Sequence, residues 1–227
     1  MTILVAGDTH GDQRWLGRAV ERVRPTALIH VGDIQLEEEA DDALAAVLRL
    51  TRFLWVSGNH DYDSLEYYQR LHAPRLSTGN LHARVVVVDG LRIAGLGGWF
   101  QPQVWRPPAA PSPGGKPRNL RISAGRNKDK MLSEVRRSGA VWWEDYESLW
   151  NQRADVLVCH EAPSCHRHGF RAIDDLAQAM GARRIFHGHH HVTYQDQVAG
   201  GIQVYGVGLR SIVDQDGLVI RPGESDS

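Results

Sequence analysis

The chain has 227 residues, 42% hydrophobic and 23% charged, with a formal net charge of −1. These values describe a soluble globular protein with room for one sizeable core, and no run of about 18 apolar residues is available to span a bilayer. Cys159 and Cys165 are too few for a disulfide framework, and the N-terminus lacks the basic-then-apolar layout of a signal peptide, so a reducing, cytoplasmic setting is expected.

Short apolar runs recur along the chain, each ending in a polar or glycine-containing turn: ILVAGD (3–8), ALIHVGD (27–33), RFLWVSGN (52–59), ARVVVVDG (83–90), LRIAGLGG (91–98), ADVLVCH (154–160) and RRIFHG (183–188). TYQDQV, IQVYGV and a last strand near 217–220 follow. Helical patterns lie at 13–23, 37–50, 64–71 and 171–181. Strand alternating with helix predicts parallel βαβ units, and the late strands, lacking helices between them, predict an antiparallel finish. The fold class is therefore α/β, with residues 1–222 as one domain and 223–227 as a tail.

Residues 99–143 break this rhythm. They hold six of the ten prolines and four of the seven tryptophans around a PPAAPSPGGKP core, and read as a long inserted loop with a short helix near 127–138. Nine Lys or Arg residues stand here against Asp129 and Glu134, a local charge of +7. Three readings stay open: a solvated loop anchored by its tryptophans, an oligomer contact, or a nucleic-acid-binding loop in which Trp105 and its aromatic neighbours stack on unpaired bases while Arg118, Arg121 and Arg126 meet phosphates. The acidic run Glu37–Asp42 is read as solvated first turns of a helix, a face that would repel a polyanion.

Polar clusters close the strands: Asp8 and His10, then Asp33, then Asn59-His60-Asp61, then His160, then the IFHGHHHV stretch (185–192) with four histidines in five positions. In open α/β sheets ligands sit at that carboxyl edge. Carboxylate, imidazole and amide donors without thiolate suit Mn, Fe, Zn or Co better than a structural zinc. On an extended segment His189 and His191 point to one side and His190 to the other, leaving His187 and His190 as supporting or surface groups. Cys165 with His166 and His168 is either a small zinc clasp or a buried thiol beside a polar loop.

GDTHGD (7–12), GDI (32–34), GNHD (58–61), CHEAP (159–163) and GHHH (188–191) together resemble the calcineurin-like binuclear metallophosphoesterases, from Asp8 to His191. The resemblance implies an αββα sandwich of two stacked mixed sheets flanked by helices. It also implies two divalent transition-metal ions, Mn2+ favoured: one held by Asp8, His10 and His191, the other by Asn59, His160 and His189, with Asp33 between them. A metal-activated hydroxide would then attack phosphorus directly. By the same resemblance His60 is the non-ligand catalytic histidine, with Asp61 accepting its other N–H as the second catalytic residue.

Protein phosphatases of this superfamily carry an Asp and an Arg shortly after the Asp33 position and Asn-His-Glu in the third motif; here IQLEEEA and Asn-His-Asp stand instead. That departure, with the basic insert, leads to a phosphodiesterase, and specifically to a nuclease acting on DNA with unpaired strands. Small diesterases of the superfamily often have Asn-Pro-Gly-Ser where this chain has VYGVGLRS (204–211), and Arg210 is expected to bring positive charge to the site. A phosphomonoesterase or nucleotide hydrolase is the rival reading. A non-catalytic scaffold and a metal-storage protein are alternatives of another class.

Overall fold

Three of the apolar runs, Ile3–Ala6 (β1), Ala27–His30 (β2) and Arg52–Trp55 (β3), pair in parallel as the middle and one edge of a five-stranded sheet. They are apolar without alternation because both faces are covered. Arg14–Val23 (α1), Ala40–Ala43 (α2) and Ala45–Leu50 (α3) are the crossovers, followed by Leu65–Leu71 (α4) and Pro74–Ser77 (α5). The Ser64 hydroxyl caps α4 by accepting from Tyr67 N at 3.0 Å. This computed structural model describes residues 2–117 and 127–224.

The second sheet has six strands: Arg84–Val88 (β4), Leu91–Leu96 (β5), Val156–Cys159 (β6), Arg184–His187 (β7), and the hairpin Tyr194–Val198 (β8) and Ile202–Gly206 (β9). Its order is β4-β5-β6-β7-β9-β8. Three helices, Lys128–Ser138 (α6), Trp143–Trp150 (α7) and Arg171–Met180 (α8), complete the described helices. The chain then returns to the first sheet as Ile212–Asp214 (β10) and Val219–Arg221 (β11), giving the order β11-β10-β1-β2-β3.

Alternation along each strand builds the layers. Ile3, Val5, Ile29 and Leu54 face Ile93, Val156, Val158 and Phe186 of the other sheet, whereas Leu4, Ala6, Leu28 and Trp55 face Leu16, Val20 and Val47 from the helices. On the far side Leu96, Leu157 and Ile185 pack against Leu149, Ile173 and Leu176. The result is the αββα sandwich. No described helix is long and apolar enough to cross a membrane.

Some expectations need correction. The helix at 37–50 is two helices, because Leu44 leaves helical geometry at φ −116° while its side chain stays in the core with Ala40 and Val47. Strand β10 and helices α5 and α7 were not read from the sequence. Each early strand ends short of its polar cluster, so the functional residues lie on loops.

The larger correction concerns the insert's aromatic residues. Trp105 is 4% exposed, with its indole N–H donating to Ala109 O and its ring edge-on to Phe100, Trp143 and Tyr146. Phe100 and Trp142 are buried in the same cluster. These rings anchor the insert over the second sheet, and Trp105 has no face free to meet a base. Trp105→Ala is expected to lower stability by about 3–5 kcal/mol, as deletion of a large core ring does. Urea unfolding would show this, with activity per folded molecule unchanged.

Candidate metal centre

The loop after β1 is stitched to the loop after β2: Thr9 and His10 N–H donate to Asp33 O at 3.1 and 3.0 Å. The close approach depends on small residues. A Cβ on Gly58 would lie 2.2 Å from Asp33 Oδ1, and one on Gly32, at φ +111°, would lie 2.3 Å from His160 Nδ1. His10, Asp33, His189 and His191 all have positive φ, a region that His and Asp enter more readily than most side chains, and such backbone clusters at ligand sites.

Two groups of donors result. Asp8, His10 and His191 each offer an atom within 4.8 Å of the others, and so do Asp33, His160 and His189. In the first group His191 Nε2 is 3.3 Å from Asp8 Oδ2 and 2.9 Å from His10 Nε2. In the second, His160 Nε2 is 3.3 Å from Asp33 Oδ2, 3.2 Å from His189 Nδ1 and 3.0 Å from Asn59 Oδ1. His160 Nδ1 donates to Val31 O and His10 Nδ1 to Gln35 Oε1, which turns the Nε2 atom of each ring inward.

These donors fit cations. Asp8 Oδ1 and Asp33 Oδ2 are buried oxygens that accept no hydrogen bond, an expensive arrangement without positive charge beside them. The titration behaviour points the same way. Burial alone would lower the His160 pKa, but the Asp33 carboxylate reverses the sign and pushes it up to about 10. Burial would raise Asp33, yet His160 holds it well below the carboxylate range.

His60 stands at the rim with its side chain 45% exposed and its ring edge-on to His10, 5.2 Å between centroids. Its backbone N–H donates to Asp33 Oδ1 at 2.7 Å, and its ring Nδ1 donates to Asp63 Oδ2 at 2.6 Å. The expected His60–Asp61 contact is therefore wrong. In the 3₁₀ turn His60–Tyr62 the side chain three residues on, not the next one, reaches the ring. Asp61 is buried instead, accepting from Gln35 N and Gly58 N and stapling two loops together. Burial, and then the Asp33 charge, push its pKa up to about 7.

Asp63, Gln35 and Arg136 were missed. Asp63 had a readable signal in its i+3 spacing from His60. Arg136, 3.2 Å from Asp63 Oδ1, comes from the insert and had none. Arg210 does reach the neighbourhood: its N–H donates to Asp8 O, and its guanidinium pairs with Glu224 at 2.8 Å beside a cavity of about 560 Å3 that His10 also lines. Arg118, Arg121 and Arg126 lie outside the described residues.

His187 is buried and bonded to the Tyr194 hydroxyl, and burial lowers its pKa to about 4. His190 turns aside and stacks on His166 at 3.9 Å. Cys165 lies against Tyr194, and no metal-binding group forms around it among the described residues. His189 and His191 both face the centre, but through left-handed backbone (φ 72° and 56°) rather than an extended strand. His190→Ala is expected to keep turnover within about threefold, while His189→Ala or His191→Ala costs about a hundredfold or more. Parallel kinetics on the three variants checks this.

Residues 1–193 match the family model of the calcineurin-like phosphoesterases, and the chain belongs to that family. An uncharacterized protein of Haemophilus influenzae is 36% identical over 215 residues, covering 95% of this chain and 94% of its own. The crystal structure of TT1561 of Thermus thermophilus superposes with a TM-score of 0.59 at 15% identity, covering 98% of each chain. The 5'-nucleotidase of Candida albicans gives 0.54 at 12% identity, over 93% of this chain and 46% of that one. These structures share the fold. Family membership supports metal-dependent phosphoester hydrolysis, with two divalent metals typical of the family.

Proposed function

We propose that this member of the calcineurin-like phosphoesterases hydrolyses small phosphodiesters at the centre built around Asp33. The carrying observation is the convergence of two three-residue donor groups on one rim, with His60 hung from Asp33 by its backbone and from Asp63 by its ring. Asp8, His10 and His191 would hold one cation, and Asn59, His160 and His189 the other, with Asp33 shared. Two divalent cations would supply Lewis acidity toward phosphoryl oxygens and lower the pKa of a water held at the centre. A ligand set of oxygen and imidazole donors makes Mn2+ the first ion to add.

The chain's own residues supply the rest. Asp63 holds the His60 ring through Nδ1, so that the ring's other nitrogen can meet a phosphoryl oxygen or hand a proton to the leaving oxygen. Among the described residues the guanidiniums around the rim are already engaged: Arg14 with Asp12, Arg136 with Asp63 and Arg210 with Glu224. A dianionic monoester gains most from a free arginine clamp, so the paired rim favours the monoanionic diester.

A nuclease acting on unpaired DNA keeps as support the basic side chains of the insert and the exposed ring of Trp143, since Phe100, Trp105 and Trp142 are core residues. Glu37, Glu38 and Asp42 line the cavity beside His10 and oppose a polyanion there. With Mn2+ supplied, bis-p-nitrophenyl phosphate is expected to exceed p-nitrophenyl phosphate in kcat/KM by about tenfold or more. Preference for the monoester would overturn the diester reading. Cleavage of a circular single-stranded DNA would move the substrate to nucleic acid.

A further inference from the structure

We propose that the groove between α4 and α6 receives the leaving-group half of the diester, and that it selects a flat, uncharged, apolar alcohol of the aryl or nucleoside kind. The inference rests on the phosphodiesterase reading and adds to it which half of the substrate the insert recognises.

Helix α6 packs against α4 and the His60–Tyr62 turn. Between the two helices lies a groove of about 610 Å3, a size typical of small-ligand sites, lined by Leu65, Met131 and Leu132 and also by Asp63. Asp63 is thus both a groove wall and the hydrogen-bond partner of His60. The three apolar side chains are only half-buried, and a flat ring laid against them would remove that surface from water. Methionine adapts well to such rings.

Charge sets the rest of the specificity. Lys128 is outnumbered by Asp63, Glu66 and Asp129 on the same lining, so among the described residues the groove offers no net attraction to a further phosphate. Arg136, reaching from α6 to Asp63, ties the groove's far wall to the residue that orients His60. During hydrolysis a P–O bond to the water oxygen forms and the P–O bond to the leaving alcohol breaks. His60 gives its proton to the departing oxygen, and the proton lost by water balances it. An alcohol lying in the groove beside Asp63 has its oxygen on the side that His60 serves.

Two measurements on the full chain test this. In the first, 2-naphthol is titrated against wild type, Met131→Asp and Met131→Leu and followed by saturation-transfer NMR. Saturable binding is expected in wild type and Met131→Leu, with a loss of about tenfold or more in Met131→Asp. Aspartate in the first turn of a helix is compatible with α6, so the variant should fold. In the second, with Mn2+ and methyl p-nitrophenyl phosphate, Met131→Asp is expected to raise KM by about tenfold while kcat stays within about threefold. Wild-type turnover with an unchanged KM in the variant overturns the subsite and leaves the phosphodiesterase reading standing. If wild type turns over no diester, that reading falls and the leaving-group assignment falls with it, whether or not naphthol binds in a Met131-dependent way.

Discussion

Asp33→Asn is expected to lower diester turnover by about a thousandfold or more and to weaken Mn2+ binding together. Asp33 touches more of the centre than any other residue described: Oδ1 accepts the His60 N–H, Oδ2 faces His160 Nε2, and its backbone carbonyl ties down Thr9 and His10. The amide keeps the shape and removes the charge, so loss of activity with an unchanged circular dichroism spectrum isolates the electrostatic role. Isothermal titration with Mn2+ would show reduced affinity or stoichiometry, and a variant that binds and turns over like wild type would end the assignment.

The same substitution has a signature without added metal. The folded His160 pKa lies near 10, above its ordinary value of 6.5, so its pairing with Asp33 contributes stability fully below about pH 6.5 and loses it as pH rises toward 10. The folded Asp33 pKa is depressed, so its contribution is present above its ordinary value of 3.8 and is lost as pH falls below that. The Tm difference between wild type and Asp33→Asn should therefore be largest between about pH 4 and 6.5 and shrink toward pH 10. A difference that stays flat across that range would show that the pair is not coupled.

The second large effect is expected at His60. His60→Ala should lower kcat by about 10²–10⁴-fold while leaving Mn2+ affinity close to wild type. The substitution is unusually clean because the contact with Asp33 is made by the backbone N–H, which alanine retains. Asp63→Asn should cost less, about 10–100-fold, because it removes the partner that orients the ring and not the ring itself. If Asp61→Asn instead reproduces the His60→Ala kinetics with normal folding, the Asp63 pairing is not the operative one. A folding defect in Asp61→Asn, by contrast, fits its two backbone hydrogen bonds.

What the sequence by itself determined is the part of the protein written in local pattern. Apolar runs of strand length between amphipathic stretches specify parallel βαβ units, and the polar clusters that follow them mark Asp8, His10, Asp33, Asn59, His160, His189 and His191, which lie beyond the carboxyl ends of strands from both sheets. Glycines such as Gly32 and Gly58 are legible for the same reason, since their requirement is steric and lies beside the motif residue.

Only the tertiary structure decided which groups are buried and which side chain reaches which. Strand β10 is three residues long and owes its existence to pairing with β1, some 200 residues earlier in the chain, so no local period announces it. Trp105 sits in a proline-rich segment without periodicity, and its burial depends on Phe100, Trp143 and Tyr146 closing over it. Asp63 takes the place expected of Asp61 because a tight turn rotates adjacent side chains apart and brings residues three apart together. Arg136 reaches the same carboxylate across 73 residues. Backbone preference is a property of neighbours in sequence, whereas burial and pairing are properties of neighbours in space, and those exist only once the sheets have stacked.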